Sequence, residues 1–405
     1  MHADLIIVGA GMVGSTLALA LQNSGLKIML IDSNSLTPNV FNHEQAFEPR
    51  VSALSIASQR ILEQVHAWPS IVQRRACPYS HMHVWDGSGT GKIDFSANSV
   101  HAKVLGHIVE NRIVQDAVLE QLQQSNIELK PQARMEQLRH ASTGWLLQLE
   151  DGQEIHTPLI IAADGANSAV RRLTGCATRE WDYLHHAIVT SVRCEKHHLN
   201  TAWQRFTDEG PLALLPLQHN DGHNWCSIVW SLPEEQALQV MTLDDTAFCQ
   251  ALTDASEQRL GRIEHADPRY RIPLRQRHAK RYVQQGLAFI GDAAHSIHPL
   301  AGQGVNLGFL DVAVLAQVLL KALQRGEDIT SERVLSRFER RRMPHNLSMM
   351  AAMEGFQHLF QADALPVRLL RNSGLKIVDN LDEAKAIFVR QALGLGIDLP
   401  DLAHT

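Results

Sequence analysis

The sequence predicts an α/β protein with a second, strand-rich region inserted into the chain. Three short apolar runs each end at a glycine or an aspartate: DLIIV at 4–8, LIIAA at 159–163 and LAFI at 287–290. Apolar runs of this length with such boundaries are typical of buried strands. Each run leads into a helical stretch, and the alternation of strand and helix favours the α/β class.

The first run opens a nucleotide-binding pattern. Residues 9–14 follow the strand as G-x-G-x-x-G, a helix continues to Asn23, and a second strand at 27–31 ends at an aspartate. Glycines let the backbone approach a pyrophosphate, the helix N-terminus attracts its charge, and the carboxylate binds a ribose hydroxyl. This order of elements predicts a Rossmann-like dinucleotide site. Its residues are Gly9, Gly11, Gly14 and Asp32.

The third run begins the segment at 286–323, around which the predicted site is organised. Gly291 and Asp292 follow the strand, at the edge where open α/β sheets bind their ligands. A loop rich in helix breakers comes next, and a long apolar helix starts near Val305. Backbone N–H groups and the positive end of the helix dipole suit a site where negative charge develops.

Composition and charge argue against several classes of function. The 405 residues are 45% hydrophobic and 20% charged, which is ordinary for a globular protein. A net charge of −6 and a pI near 6.4 argue against nucleic-acid binding. The five cysteines are scattered and form no C-x-x-C pair, which favours a reducing cytoplasm over disulfides or a cysteine zinc site. Among the 22 histidines, the close pairs 81/83, 185/186 and 197/198 lie in irregular or strand-like stretches, so we expect no metal site.

Two local patterns could be mistaken for a membrane span and for a phosphate-binding loop. Residues 5–26 are uncharged and long enough to cross a membrane. Glycines interrupt this stretch and no basic segment precedes it, so we interpret it as a strand that turns into a helix. DGSGTGK at 86–92 suggests a phosphate-binding loop, but the required glycine is absent at 86 and residue 93 is isoleucine. A hairpin turn is the better interpretation.

Residues 180–271 differ in character from the flanking sequence. Alternating aromatic and apolar segments such as LALLPL and NWCSIVWSL predict a second sheet, which would cover the cofactor with the substrate beneath it. The candidate pocket or core residues are Trp203, Phe206, Leu215, Pro216, Trp225 and Trp230.

The C-terminal part is predicted to be helical. A helix at 331–342 ends in an arginine-rich run, which we interpret as a solvated face. Beyond it, Met349, Met353, Phe356 and Phe360 recur at helical spacing. Two interpretations remain open here: core packing against the first domain, or an amphipathic surface for a membrane or a partner.

Several stretches resemble one flavoprotein family. They are RVSALSIAS (50–58), LGHIVENR (105–112), ADGANSAVR (163–171), CSIVWSL (226–232), GDAAHSIHPLAGQGVNLGF (291–309) and ERRRMPHN (339–346). Nearly end to end, the chain is similar to the FAD-dependent aromatic-ring hydroxylases of ubiquinone biosynthesis. The resemblance implies a Rossmann-like FAD-binding domain of the aromatic-ring hydroxylase type at 1–75, 100–178 and 272–343. An inserted antiparallel-sheet substrate domain would comprise 76–99 and 179–271, and a helical C-terminus 344–405.

The resemblance also implies residue roles. The loop facing the flavin ring would contain Pro299, Gly302, Gln303 and Gly304. Beyond the glycine motif and Asp32, the cofactor-binding positions would be Arg50, Asn111, Asp164, Gly165, Arg171, Gly291, Asp292, Val305 and Asn306. In the family, the aspartate that matches Asp292 binds the ribityl chain. The resemblance assigns no general base, because the tyrosine pair of the small-hydroxybenzoate hydroxylases is not recognisable here.

The reaction implied is hydroxylation of the aromatic ring of a polyprenylphenol in ubiquinone biosynthesis. NAD(P)H would reduce FAD, and reaction with O2 would give a flavin C4a-hydroperoxide that passes oxygen to the ring. Segments MHVWD and WDYLHHAIV are most similar to the 2-polyprenylphenol 6-hydroxylases. The sequence contains no second G-x-G-x-x-G, which fits transient binding of the nicotinamide cofactor.

Three alternatives remain open for the function. The chain could act on another aromatic substrate or another ring position, reduce a prenyl chain, or serve as a flavin-bearing scaffold in a quinone-synthesis complex. The implied location is the cytoplasm, at the periphery of the inner face of the membrane. Membrane contact, a multi-enzyme complex and a homo-oligomer are the partners that the resemblance leaves open.

Overall fold

The computed structural model describes residues 1–296, 304–361, 393–394 and 399–404, and strands and helices are numbered along the chain. A six-stranded sheet forms its centre. The strands, in spatial order, are β19 (Val283–Gln284), β20 (Leu287–Phe289), β12 (Leu159–Ala162), β1 (Leu5–Val8), β2 (Ile28–Ile31) and β8 (Glu128–Lys130). All neighbours are parallel except β19 and β20. The four strands β1, β2, β12 and β20 are buried throughout, as in sheets covered on both faces.

Helices cover this sheet. The helices of this part are α1 (Met12–Leu21), α2 (Ile56–Gln64), α3 (Trp68–Arg74), α4 (Asn111–Gln123), α5 (Ala169–Leu173), α8 (Gly304–Gln324) and α9 (Glu332–Gln361). α8 packs against α1, α2 and α9. Among the helices of the described residues, α8 is the one long and apolar enough to cross a membrane. However, 78% of its most apolar stretch is buried inside the protein, as in a core helix. The α/β class and the strand-then-helix interpretation of residues 5–26 are confirmed.

A nine-stranded sheet, which we call the lid sheet, forms the second layer. Its strands are β5 (His81–Asp86), β6 (Lys92–Ser96), β13 (Thr178–Cys194), β14 (Thr201–Phe206), β15 (Pro211–Leu217), β16 (Asn224–Pro233), β17 (Ile263–Ala266), β18 (Tyr270–Ala279) and β21 (His295–Ser296). All its pairs are antiparallel except β14 with β5. β5 and β6 form the hairpin predicted around residues 86–92.

The two faces of the lid sheet have different coverings. On the outer face, Leu214, Ile228 and Trp230 pack with Phe248 of α7 (Asp245–Ala255) and with Ala237 of α6 (Glu234–Met241). On the inner face, the side chains pack towards a three-stranded sheet of β3 (Val51–Leu54), β4 (Cys77–Tyr79) and β7 (Gly106–Glu110). A third small sheet comprises β9 (Met135–Ala141), β10 (Gly144–Leu149) and β11 (Glu154–Thr157).

Some element boundaries differ from the expected ones. The expected domain boundary at 271/272 falls inside β18, all of which belongs to the lid sheet, because β18 pairs with β13 as far as Ala279. β4 pairs with β7 rather than joining the lid sheet. α9 does not end at Arg342 but continues through Pro344.

Candidate functional site

The carboxyl ends of four parallel strands lie side by side at one edge of the central sheet. Val8 of β1 is paired with Ala162 of β12 and with Ile31 of β2, and Ala162 is paired with Phe289 of β20. Just beyond these strand ends lie residues predicted to bind the cofactor. They are Gly9, Asp32, Asp164, Gly291 and Asp292. Motifs that are far apart in sequence thus meet where open α/β sheets bind ligands.

The turn from β1 to α1 needs glycine at two positions. Gly9 has a φ of +100°, and a Cβ there would lie 2.5 Å from the carbonyl oxygen of Ala163. A Cβ on Gly14 would lie 2.0 Å from the carbonyl oxygen of Gly9. A Cβ on Gly11, in contrast, would meet no protein atom within 4 Å. The first two glycines allow close packing, whereas the backbone of Gly11 faces open space at the start of the helix.

The N-terminus of α1 is available to an anion. Its N-cap, Gly11, makes no side-chain hydrogen bond, and no acidic residue lies in the first turn. The first N–H groups of a helix lack intrahelical acceptors and carry partial positive charge. Beside them, Asp32 accepts hydrogen bonds from the N–H of Ala10 at 2.7 Å and of Asn34 at 2.8 Å. This carboxylate is therefore fixed next to the helix N-terminus.

The turn after β12 holds a carboxylate with one unused oxygen. Oδ2 of Asp164 accepts from the N–H groups of Ala169 at 2.7 Å and Val170 at 3.1 Å. Its Oδ1 is buried and has no hydrogen-bond partner within the described part of the chain. Burial raises the pKa of this carboxyl group. Ser168 caps α5, because its hydroxyl oxygen accepts from the N–H of Arg171 at 3.0 Å.

Arg171 links two turns of the site. Its Nη1 donates to the carbonyl oxygen of Ala293 at 2.7 Å, and its Nη2 to that of Ala166 at 2.6 Å. Ala293 belongs to the turn after β20, and Ala166 follows Gly165, which has a φ of +77°. The observed contacts of Arg171 therefore hold the two turns together, and its contact with a cofactor stays a prediction.

Asp292 lies beside Arg50. The carboxyl group is accessible to solvent, yet protein atoms surround it on most sides, and this desolvation raises its pKa. The charges of His295 and Arg50 oppose that shift. Arg50 is itself exposed, so both side chains can reach a ligand at this edge.

Three segments of the site meet at Val13 of α1. A Cβ on Gly291, which has a φ of +56°, would lie 3.2 Å from the Val13 side chain, and a Cβ on Gly308 would lie 2.6 Å from it. The turn after β20 and the first turns of α8 can therefore pack directly on α1 because both positions are glycine.

Asn306 uses its whole side chain inside the protein. Its Oδ1 accepts from the N–H of Ser55 at 3.0 Å and the hydroxyl of Ser58 at 2.7 Å, and its Nδ2 donates to the carbonyl oxygen of Ala53 at 2.8 Å. The side chain joins α8 to β3 and α2. A contact with a cofactor would therefore fall to the backbone N–H of Asn306.

Asn111 is placed next to Arg50 by the three-stranded sheet. Its N–H donates to the carbonyl oxygen of Arg50 at 2.9 Å, and its Oδ1 accepts from the hydroxyl of Ser52 at 2.6 Å. The hydroxyl of Ser52 orients the amide group, which leaves the Nδ2 donor for another acceptor.

Comparisons with known proteins decide the family. The family described as "FAD binding domain" matches residues 2–352. This protein belongs to that family. It is 35% identical over 395 residues to 3-demethoxyubiquinol 3-hydroxylase of Escherichia coli, with 97% of this chain and 98% of that protein covered. It is 34% identical over 432 residues to the ubiquinone biosynthesis monooxygenase COQ6 of Xenopus tropicalis, with 94% and 91% covered.

A solved structure shares the fold. PqsL of Pseudomonas aeruginosa, in complex with 2-aminobenzoylacetate, superposes with a TM-score of 0.77 at 21% identity and covers 93% of this chain and 100% of that one. Together with the family match and the full-length relatives, the fold identifies the protein as an FAD-dependent aromatic monooxygenase.

The sheet edge fits FAD. A dinucleotide needs a place for its pyrophosphate, and the uncapped N-terminus of α1 beside Gly11 provides it. It also needs acceptors for hydroxyl groups, and Asp32, Asp292 and the unused Oδ1 of Asp164 are acceptors at the same edge. Among the described residues, His, Cys, Asp and Glu side chains form no group of three that could hold a metal ion.

Part of the predicted flavin-ring loop can be placed. Pro299, Gly302 and Gln303 lie outside the described residues. Gly304 and Val305 are the first two residues of α8, whose next turn packs on α1 through Gly308. The N-terminal end of α8 thus lies at the same edge as the turn after β20, as the predicted loop requires.

The lid sheet divides the candidate pocket residues between its faces. Leu215 and Trp225 belong to the inner cluster, while Trp203 and Trp230 belong to the outer cluster under α6 and α7. Phe206 packs with Ile93 and with Met353 of α9, and Pro216 lies in the buried strand β15. Trp230 is therefore a core residue of the outer layer, and the partly buried Trp203 packs against that layer.

One buried cluster was missed by sequence reasoning. Arg342, assigned to a solvated face, is only 4% exposed, and its Nε donates to Oδ1 of Asp311 at 2.7 Å. Asp311 lies in the middle of the apolar helix α8 and is fully buried. The available signal was an acidic residue within LGFLDVAVL, because a buried carboxylate must find a positively charged or hydrogen-bonding partner.

Proposed function

We propose that this protein hydroxylates the aromatic ring of a polyprenylphenol intermediate of ubiquinone biosynthesis, using NAD(P)H and O2. The observation that carries the proposal is the end-to-end similarity to two named ubiquinone-biosynthesis hydroxylases, which includes the lid sheet as well as the FAD-binding part. Flavoproteins that shared only the nucleotide-binding motifs would match over a smaller part of the chain.

The proposed placement of FAD follows the sheet edge. Its pyrophosphate lies at the start of α1, where Gly9 and Gly14 allow close packing and Gly11 exposes its backbone. Asp32 binds the ribose of the adenosine half, and Asp292 binds the ribityl chain. The flavin ring then lies by the N-terminus of α8, whose dipole stabilises negative charge on the ring.

FAD, when bound, supplies the redox chemistry between NAD(P)H, O2 and the aromatic ring. The protein binds and orients the reactants and keeps water out of the site. The side chains of Arg50 and Asn111 complete the polar edge of the site. We assign no general base for the phenol.

The inner face of the lid sheet suits an apolar aromatic substrate. Ala213, Leu215 and Val229 line it, and Val229 is partly exposed there. Gln204 is only 5% exposed, and its Oε1 has no hydrogen-bond partner among the described residues. The hydroxyls of Ser191 and Ser227 lie on the same face and are likewise buried without a partner among the described residues. A mainly apolar face with a few unused polar atoms matches a prenylated phenol, in which a hydroxyl group projects from a hydrocarbon body.

A second candidate concerns the ring position. The Escherichia coli relative is named for hydroxylation of 3-demethoxyubiquinol at ring carbon 3. The middle segments at 82–86 and 181–189 instead favour position 6 of a 2-polyprenylphenol. Both substrates share the prenylated ring and the same cofactors, so the two candidates differ only in how the lid orients the ring.

The decisive experiment offers both substrates to the FAD-loaded protein. Short-chain analogues of 2-prenylphenol and of 3-demethoxyubiquinol are added with NAD(P)H, and nicotinamide oxidation, product mass and product regiochemistry are recorded. Stimulated oxidation with a gain of one oxygen supports the hydroxylase, and the position of the new hydroxyl decides between the candidates. Bound flavin without stimulation by either compound would support the scaffold alternative.

A matched pair of lid variants tests the substrate face. Val229→Ala and Ile228→Ala shorten neighbouring side chains of β16 on opposite faces. Val229→Ala is expected to raise KM for the prenylphenol or to change the preferred chain length at little cost in stability. Ile228→Ala should lower the free energy of unfolding by about 2–5 kcal/mol and leave KM unchanged. An unchanged KM in both variants would contradict the proposed substrate face.

The proposed location is the cytoplasm, at the periphery of the membrane that holds the prenylated substrate. Two apolar side chains on β13 support it: Trp181 is 57% exposed and Leu184 is 71% exposed. Co-sedimentation with anionic vesicles should weaken in the Trp181→Ser, Leu184→Ser double variant. Binding equal to that of the parent protein would remove this surface from the proposal.

A further inference from the structure

A buried carboxylate behind the turn after β20 gathers four hydrogen-bond donors. Oδ2 of Asp311 accepts from the N–H of Gly291 at 3.0 Å and from Nε2 of His295 at 2.5 Å. Its Oδ1 accepts from Nε of Arg342 at 2.7 Å and from Nδ2 of Asn346 at 3.3 Å. Asp311 and Asn346 are fully buried, and His295 and Arg342 are at most 4% exposed.

The partners of Asp311 are themselves held in place. Nη2 of Arg342 donates to the carbonyl oxygen of Leu307 at 3.3 Å and to Oδ1 of Asn346 at 2.7 Å. Nδ2 of Asn346 also donates to the hydroxyl of Tyr282 at 3.3 Å. Each donor in this group therefore has a defined acceptor, which is the condition for a buried polar network to be rigid.

Charge explains the protonation state of the group. Burial alone would raise the pKa of Asp311, but His295 and Arg342 outweigh burial and hold the pKa well below its usual range. Two histidines at the edge of the group, His278 and His345, have pKa values lowered to about 4, chiefly by burial. At neutral pH the centre of the group is an Asp311 carboxylate paired with the guanidinium of Arg342.

The group touches two parts of the FAD site at once. Gly291 has a φ of +56° and is followed by Asp292, so its hydrogen bond to Asp311 fixes the direction in which Asp292 leaves the strand end. The bond from Arg342 to Leu307 holds the first turn of α8. A buried ion pair is weak as a source of stability, because desolvation offsets much of its attraction. The more specific consequence of the ion pair is that it fixes the positions of Gly291 and of the first turn of α8.

We propose that Asp311 is a positioning residue for FAD: with Arg342, it holds Gly291 so that Asp292 faces the cofactor. The proposal rests on the proposed placement of FAD beside Asp292. It also gives the arginine-rich segment of α9 a structural role. Arg342 and Asn346 lie one helical turn apart, and both donate to Oδ1 of Asp311. α9 continues through Pro344 between them.

The test measures FAD affinity without any aromatic substrate. Asp311→Asn keeps the shape of the side chain, but an amide cannot accept on both sides, so either Gly291 or the donors of α9 lose their acceptor. The dissociation constant for FAD, measured from flavin fluorescence, is expected to rise at least tenfold, and the absorbance spectrum of the bound flavin should shift. The control Thr253→Val removes a buried hydroxyl that accepts from Ile263 in the outer layer of the lid. It should lower stability and change FAD affinity less than twofold.

A double variant separates positioning from simple stability. Asp311→Asn combined with Arg342→Met removes both charges of the buried pair. The urea midpoint of the apoprotein should therefore recover relative to Asp311→Asn, which leaves the guanidinium of Arg342 buried without its carboxylate. FAD affinity should stay weak, because a neutral amide that α9 no longer fixes holds the N–H of Gly291 less firmly than the carboxylate does. Recovery of affinity together with stability would overturn the proposal, as would a parent-like FAD affinity in Asp311→Asn. If Asp311→Asn does not fold, the double variant alone decides.

Asp292→Asn distinguishes this proposal from the placement on which it rests. Weakened FAD binding in Asp292→Asn with parent affinity in Asp311→Asn would reject the positioning role alone. Parent affinity in both would reject the placement of FAD beside Asp292. Neither result depends on which ring the enzyme hydroxylates.

Discussion

Adding one methyl group at either end of the β1–α1 turn should give two different results. At Gly14, the new Cβ would lie 2.0 Å from the carbonyl oxygen of Gly9, and α1 must shift by roughly 1 Å to relieve that contact. At Gly11, the new Cβ would meet no protein atom within 4 Å, and its φ of −67° is allowed for alanine. Gly14→Ala therefore acts on the protein itself, whereas Gly11→Ala acts only on a ligand that approaches the helix.

The magnitudes follow from these contacts. Overpacking at Gly14 should lower the free energy of unfolding of the apoprotein by about 1–3 kcal/mol or more. Gly11→Ala should change it by less than about 1 kcal/mol, because a weaker N-cap and a less flexible unfolded chain partly cancel. If the FAD pyrophosphate contacts the backbone at Gly11, loss of a charge-assisted hydrogen bond costs about 1.5–3 kcal/mol. The dissociation constant for FAD then rises by about 10- to 150-fold.

Two measurements on the apoprotein check this reasoning. Urea unfolding gives the stability of each variant, and titration with FAD, followed by flavin fluorescence, gives its affinity. FAD affinity equal to that of the parent protein in Gly11→Ala would show that no ligand approaches the N-terminus of α1. Destabilisation of the apoprotein by Gly11→Ala as large as that by Gly14→Ala would likewise contradict the prediction.

Three further predictions concern single residues of the site and core. Asp292→Asn should weaken FAD binding by about 1–3 kcal/mol through a lost charged hydrogen bond, and an unchanged dissociation constant in equilibrium dialysis would contradict it. Asn306→Leu leaves the buried N–H of Ser55 without an acceptor, so the free energy of unfolding should fall by about 2–4 kcal/mol; a parent-like urea midpoint would argue against this bridge. The pKa values of His278 and His345 are lowered to about 4 in the folded protein, so the unfolded chain binds more protons below its histidine pKa of about 6.5. Stability should therefore fall as the pH drops from about 6.5 towards 4, and His278→Gln should reduce that slope; an unchanged slope of urea midpoint against pH would contradict this assignment.

Local patterns in the sequence were sufficient for the parallel strands and the turns that follow them. Buried strands such as 5–8 and 159–162 are continuous apolar runs, and the glycines after them are required by backbone geometry. These constraints act within a few residues, so the sequence displays them directly. The hairpin of β5 and β6 was predictable for the same reason.

Contacts between side chains that are distant in sequence were not predictable from local patterns. The arginine-rich run at 337–342 has the composition of a solvated helix face, yet Arg342 is buried against Asp311. α9 also continues past a proline that normally ends or kinks a helix. Contacts of Arg342 and Asn346 on either side of Pro344 bind both halves of the helix to α8, so tertiary packing outweighs the local preference.

The sequence alone also did not show which face of the lid sheet each aromatic side chain occupies. Trp203, Trp225 and Trp230 look equivalent in strands of alternating character, because alternation shows that two faces exist and not which face points towards the flavin. That choice depends on what packs on each face: α6 and α7 cover one, and the three-stranded sheet lies against the other.

The amino-acid sequence by itself determined the α/β class, the strand ends that carry Gly9, Asp32, Asp164 and Asp292, and the similarity to the FAD-dependent hydroxylases. Only the tertiary structure decided which polar side chains are used up by the protein, such as Asn306, and which retain an unused acceptor, such as Asp164. The physical reason is the range of the forces involved. Strand and turn preferences arise between near neighbours in the chain, whereas burial and hydrogen-bond partnership depend on residues that only folding brings together.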